Sequence, residues 1–102
     1  MHLDVLVERL DGTALVCPIG ELDLATAPEL ERVLEALATG PSTVVLDLSG
    51  LTFVDCAGLR PVREAVFAGA LLGRQVRLSG ARPAVRRVLE LTGLDGHLAP
   101  TG

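Results

Sequence analysis

Leu3, Val5 and Val7 alternate with Asp4, Leu6 and Glu8, the two-residue period of a strand, and Asp11-Gly12 then supplies the left-handed backbone of a tight hairpin turn. The returning strand runs from about Thr13 to Ile19, with Pro18 at its end or where its nitrogen faces no neighbour. Thr26-Ala27-Pro28-Glu29 has the form of a capping box, and Pro28 is tolerated because a first helical turn needs no amide donor. Leu30, Val33, Leu34 and Leu37 recur at helical spacing until Gly40 and Pro41 end the helix. Thr43 to Leu48 is a β-branched, nearly continuous apolar run, as expected of a strand at the centre of a sheet covered by helices.

Beyond Phe53 and Val54, the segment Asp55 to Leu59 leads into a helix with Leu59, Val62, Val66 and Ala70 on one stripe, closing near Gly73. Gln75 to Leu78 forms a further strand, Pro83 opens a helix with Val85, Val88 and Leu89 inward, and Gly93 caps it. Leu94 to Leu98 makes a last turn, and the tail 99–102 is expected to fray. Strands alternating with helices predict an α/β fold: an N-terminal antiparallel hairpin, then parallel β-α units, in one mixed sheet covered by helices. A chain of 102 residues forms one domain, with a core over about residues 3–98.

Composition removes several functions. The net charge is −4, all nine basic residues are arginine, and Phe53 and Phe67 are the sole aromatics. Such a chain lacks both the basic footprint of a nucleic-acid binder and a stacking platform for single strands. No apolar run approaches the roughly 18 residues of a membrane span, so no membrane insertion is expected, and no secretory signal opens the chain, which places it in the cytoplasm. Cys17 and Cys56 match no zinc or redox spacing, and His2 and His97 lie near opposite termini, so neither a metal nor a cofactor is expected. No phosphate-binding glycine loop is present.

The carboxylates Glu21, Asp23 and Asp55 follow two strands whose carboxyl ends are where open α/β sheets bind ligands and partners. They form either an acidic docking rim or helix-start carboxylates favoured by the helix dipole. Arg60 and Arg63, one turn apart, either meet an acidic partner or pair with Glu64 and nearby carboxylates.

Gly20-Glu21-Leu22-Asp23 and the helix after it, then Val45 to Leu48, Phe53 to Leu59 and Pro83 to Leu94, stand in the order of the segments of a STAS domain. From about residue 5 to residue 98 the chain resembles that family in its anti-sigma factor antagonist branch. The resemblance implies a non-enzymatic regulator that binds an anti-sigma factor, typically a serine kinase of the histidine-kinase-like ATPase class, and so frees a sigma factor. It also implies a contact surface of Glu21, Asp23, Asp55, Cys56, Ala57, Gly58, Leu59 and Arg60, in which Asp23 and Asp55 set orientation and Leu59 adds apolar contact. In the family the kinase ends the complex by phosphorylating a serine directly after the motif aspartate.

That position is Cys56, and a thiol does not replace a hydroxyl in serine-kinase chemistry. Three readings follow. Cys56 fills a small, partly buried site in a permanently unphosphorylated binder; or the regulatory hydroxyl has moved to Thr52 or Ser49 in the same loop; or Cys56 is a redox-responsive thiol near a helix N-terminus. If Gly58 caps the following helix, Pro61 falls in its tolerated first turn and Cys56 on the loop ahead; an earlier start requires a distorted first turn. Outside this branch, STAS domains also serve as accessory subunits of membrane transport systems, the alternative function; a thiol-dependent enzyme lacks a nearby base.

Overall fold

The computed structural model describes residues 2–99. Strands β1 (Leu3–Leu10) and β2 (Thr13–Leu22) pair antiparallel across a turn in which Asp11 and Gly12 have φ of 39° and 79°. Helix α1 (Ala27–Ala36), β3 (Thr43–Asp47), β4 (Leu51–Val54), α2 (Arg60–Leu71), β5 (Gln75–Ser79) and α3 (Pro83–Thr92) follow, then a 3₁₀ turn at Asp95–His97. The sheet runs β1-β2-β3-β5, with β3 parallel to both β2 and β5.

Strand β4 was not read from the sequence, and it explains why β2 continues past Ile19 to Leu22. With β1 along one edge of β2, the other edge is shared: β3 pairs with Thr13–Val16, and β4 pairs with Gly20–Leu22. Pro18 falls between these two ladders, where the parallel hydrogen bonding is already interrupted and its missing amide removes no bond. In β4 only the terminal Leu51 and Val54 are buried while Thr52 and Phe53 are exposed, so its four residues carry no alternating pattern.

One face of the sheet forms the core. Ala14, Val16, Pro18, Val44, Leu46 and Leu78 are buried there, and most join a single cluster with Leu30 and Leu34 of α1, Val62 of α2, and Val85 and Leu89 of α3. Burying each such leucine or valine contributes about 1.5–3 kcal/mol. The buried stripe of α2 turns to Gly69 rather than the expected Ala70, which is exposed, because a 3.6-residue period carries Val62 and Val66 onward to position 69. Among the described residues, no helix is long and apolar enough to cross a membrane.

Two local expectations change and one alternative is settled. Thr26 occupies the cap position of α1 but makes no side-chain capping bond, and Glu29 pairs with Arg32 at 2.7 Å instead of reaching back. Helix α2 does not start early: its cap is Leu59, one residue beyond Gly58, and Pro61 lies in the tolerated first turn. Ala99, expected to fray, is held: Leu98 bridges to Leu78, and the Ala99 amide donates to the Leu78 carbonyl at 2.7 Å. Positions 100–102 of the expected frayed tail lie outside the described residues.

The end of α1 depends on a distant arginine. Carbonyls at the end of a helix have no intrahelical donor, and here the Arg74 guanidinium donates to the carbonyl of the cap residue Leu37 and, just beyond the helix, to those of Ala38 and Pro41. Hydrogen bonds to a charged group contribute about 1.5–3 kcal/mol, so Arg74→Ala is expected to lower unfolding free energy by about that amount in a denaturant titration. An unchanged midpoint would show that water replaces the guanidinium at no cost.

Candidate functional site

The site forms where β2 and β4 end side by side, with Glu21 opposite Phe53 and Leu22 opposite Val54. Each strand runs directly into an aspartate, and each aspartate folds a turn that opens a helix. Asp23 Oδ1 accepts the amides of Ala25 at 2.9 Å and Thr26 at 3.0 Å, and its carbonyl accepts the Ala27 amide at 2.8 Å. The Thr26 hydroxyl donates to the Glu21 carbonyl at 2.7 Å and accepts the Asp23 amide at 3.0 Å. The Thr26 side chain thus ties the turn to the end of β2.

The second turn repeats the device. Asp55 Oδ1 accepts the Gly58 amide at 2.7 Å, the Asp55 carbonyl accepts the Leu59 amide at 3.1 Å, and the Asp55 amide reaches the Leu22 carbonyl at 3.3 Å. Gly58 presses against the first turn so closely that a Cβ there would stand 2.2 Å from the Leu22 oxygen and 2.8 Å from the Asp23 nitrogen. Glycine at this position is a requirement of approach, not of unusual backbone angles.

These bonds decide which residues face outward. Asp23 is 8% exposed and Leu59 1%, so, unlike the surface side chains expected of them, both lie in the interior of the free chain: Asp23 is spent on backbone amides and Leu59 on the core. Gly58 is buried too, and Glu21 and Asp55 are half-buried. Cys56, Ala57 and Arg60 are exposed. Of the three readings of Cys56, the partly buried site is not what the structure shows: the Asp55 carboxylate turns inward to Gly58, and the next residue is exposed to solvent. It stands three residues ahead of the α2 cap, outside the helix's first turn.

The proposed substitute hydroxyls are not in the same loop as Cys56. Thr52 lies on β4 and donates to the Gly20 carbonyl at 3.2 Å, and Ser49 precedes β4, so the strand stands between it and Cys56, a length of roughly 13 Å at the usual rise per residue. Arg60 reaches Glu64 at 3.6 Å and Glu31 of α1 at 3.9 Å, a loose exposed pairing that joins α1 to α2 and contributes little stability. The sequence reading missed two apolar side chains beside the turns, Leu24 at 71% exposure and Phe53 at 43%. An apolar residue directly after the Glu21-Leu22-Asp23 run was the available signal for Leu24. Among the described residues, no group of three or more His, Cys, Asp or Glu side chains is gathered to hold a metal.

A family model described as "STAS domain" matches residues 4–101. The anti-sigma-F factor antagonist RsfB of Mycobacterium tuberculosis is 34% identical over 96 residues, covering 91% of this chain and 76% of that protein. An anti-sigma-B factor antagonist of Staphylococcus aureus is 31% identical over 100 residues, covering 92% of this chain and 88% of that one. Among solved structures, an anti-sigma factor antagonist from Mycobacterium paratuberculosis superposes with a TM-score of 0.80 at 35% identity, covering 98% of this chain and 87% of that one.

Two outcomes follow from the geometry. Gly58→Ala is expected to lift the second turn off β2 at a cost of about 1–3 kcal/mol, the usual range for overpacking, visible as a lower denaturation midpoint and shifted amide resonances at Leu22 and Asp23. Unchanged values for both would contradict the close approach. In timed alkylation with iodoacetamide, Cys56 is expected to react before Cys17, whose half-buried thiol is pushed above its ordinary value by burial and by the nearby Asp47 and Glu8. The reverse order would place Cys56 inside.

Proposed function

The chain belongs to the STAS domain family, and on that premise we propose that it is an anti-sigma factor antagonist: it binds an anti-sigma factor of the serine-kinase type and thereby releases a sigma factor to transcription. It acts by docking rather than by catalysis, and its setting is the bacterial cytoplasm. The observation that carries the reading is the presentation of Cys56 and Ala57 at the tip of a turn clamped to the end of β2, in a chain whose relatives are named for this role. Leu24 and Ala25 extend the same surface from the first turn, and Arg60 and Glu21 border it. Asp23, Gly58 and Leu59 hold the turns in position from beneath. A transport-subunit reading draws nothing from the relatives above, both named for antagonism of an anti-sigma factor.

The turn keeps the docking shape but not the usual means of ending the complex. A phosphate at its tip would add about −1.5 to −2 charge within a rim that already holds Asp55 and Glu21. A thiol offers a serine kinase no acceptor hydroxyl, so the complex formed through Cys56 is not ended by phosphate at that atom. Ser49 and Thr52 lie across or along β4 from the turn and are not the acceptors in this reading.

Incubation with the cognate anti-sigma kinase and ATP is expected to leave the mass of the wild-type chain unchanged while the complex persists, whereas Cys56→Ser gains one phosphate and dissociates. A phosphate found on the wild-type chain by peptide mapping would overturn the unswitched reading. Leu24→Asp is expected to weaken the complex by roughly tenfold or more at unchanged stability, as for an exposed apolar anchor. Asp23→Ala and Leu59→Ala should instead lower the unfolding midpoint; the opposite assignment would mean that the interior pair touches the partner.

A further inference from the structure

The helices and their buried residues lie against one face of the sheet, and the other face is open. Leu6 is 59% exposed and Ile19 42%, while Leu15, Cys17 and Val45 are half-buried between neighbouring strands. None of these five belongs to the hydrophobic core cluster or packs against it. The register gathers them: Leu6 pairs with Cys17 across β1 and β2, and Leu15 pairs with Val45 across β2 and β3. Parallel strands such as β2, β3 and β5 are ordinarily covered on both faces, so an open apolar face on this sheet calls for a cover.

Charge selects what covers it. Among the described outward-facing strand positions, Asp4, Glu8 and Asp47 lie on the same side as these residues with the one arginine Arg77, while Arg82 donates to the Ser49 carbonyl just past the end of β3. Asp4 also meets His2 at 3.1 Å, and Asp47 accepts the Ser49 amide at 3.0 Å. Burial, and after it the nearby Asp47 and Glu8, push the Cys17 thiol above its ordinary value. A second copy of this chain would set carboxylates against carboxylates, and an anionic membrane would be repelled. A cationic, apolar surface complements it. Four strands about 4.8 Å apart span roughly 14 Å, the width of one helix of about 10–12 Å diameter.

We propose that the outer face of the sheet, centred on Leu6, Cys17 and Val45, is a second docking surface, and that its occupant is an amphipathic helix of another protein with lysines or arginines flanking an apolar stripe. This surface lies across the sheet from α2 and acts independently of the anti-sigma factor site.

The test is a titration of the ¹⁵N-labelled full chain with a synthetic amphipathic helix whose leucine stripe is flanked by lysines; the control peptide carries glutamates instead, and alkylation of Cys17 is read separately from that of Cys56 by peptide mapping. The expected result is amide shifts confined to the outer-facing residues of β1, β2 and β3, a several-fold slower alkylation of Cys17, and affinity at least fivefold lower for the glutamate peptide. The double variant Asp4→Asn, Glu8→Gln should lose affinity by a similar factor, and Val45→Lys should abolish binding while the chain stays folded and still captures the anti-sigma factor. Equal binding of both peptides, shifts confined to α2 and its preceding turn, absence of shifts, or a dimer across this face in sedimentation of the free chain would each overturn the proposal.

Discussion

The contact between Gly58 and the end of β2 governs the working end of this molecule. Two turns, each folded by an aspartate immediately after a strand, can sit side by side only because one of them has no side chain at the point of contact, where a Cβ would meet the Leu22 carbonyl at 2.2 Å. Everything presented to a partner follows from that approach. The Asp55 carboxylate must point inward to the Gly58 amide, which turns Cys56 outward; Leu59 enters the core and caps α2, which fixes where Arg60 and the rest of the helix begin.

Much of the fold is legible in the sequence because it rests on local signals. Asp11-Gly12 specifies the hairpin through backbone angles that few residue pairs adopt, and the stripes of α1 and α3 follow from period alone. What escaped depends on long-range partners. Strand β4 exists because the far half of β2 needs a neighbour, and its Leu51-Thr52-Phe53-Val54 pattern carries no alternation to announce it. Thr26 and Glu29 have the letters of a capping box, yet Glu21 and Asp23 compete for the threonine and Arg32 for the glutamate. Ala99 is held only because β5 leaves a free edge there.

The candidate site shows the same division. Order and spacing located the Glu21–Asp23 and Asp55–Arg60 segments, but residue type could not separate the side chains that build the turns from those that face out. Asp23 reads as an acid of an exposed rim and is buried; Cys56, for which a partly buried site was one of three readings, is exposed. Burial is decided by which amides each carboxylate must satisfy, a matter of three-dimensional placement. The result is a surface in two parts: a hydrogen-bonded, largely buried frame of Asp23, Thr26, Asp55, Gly58 and Leu59, and an exposed tip of Leu24, Ala25, Cys56 and Ala57.

Hydrogen exchange of the chain with and without its anti-sigma factor tests the central claim most directly, that the partner docks on the paired ends of β2 and β4. The account predicts slowed exchange confined to the segments 22–27 and 55–60 and the start of α2, with β1 and β5 unchanged. Protection of α3 or the sheet strands, with both turns exchanging at their free rate, would contradict it.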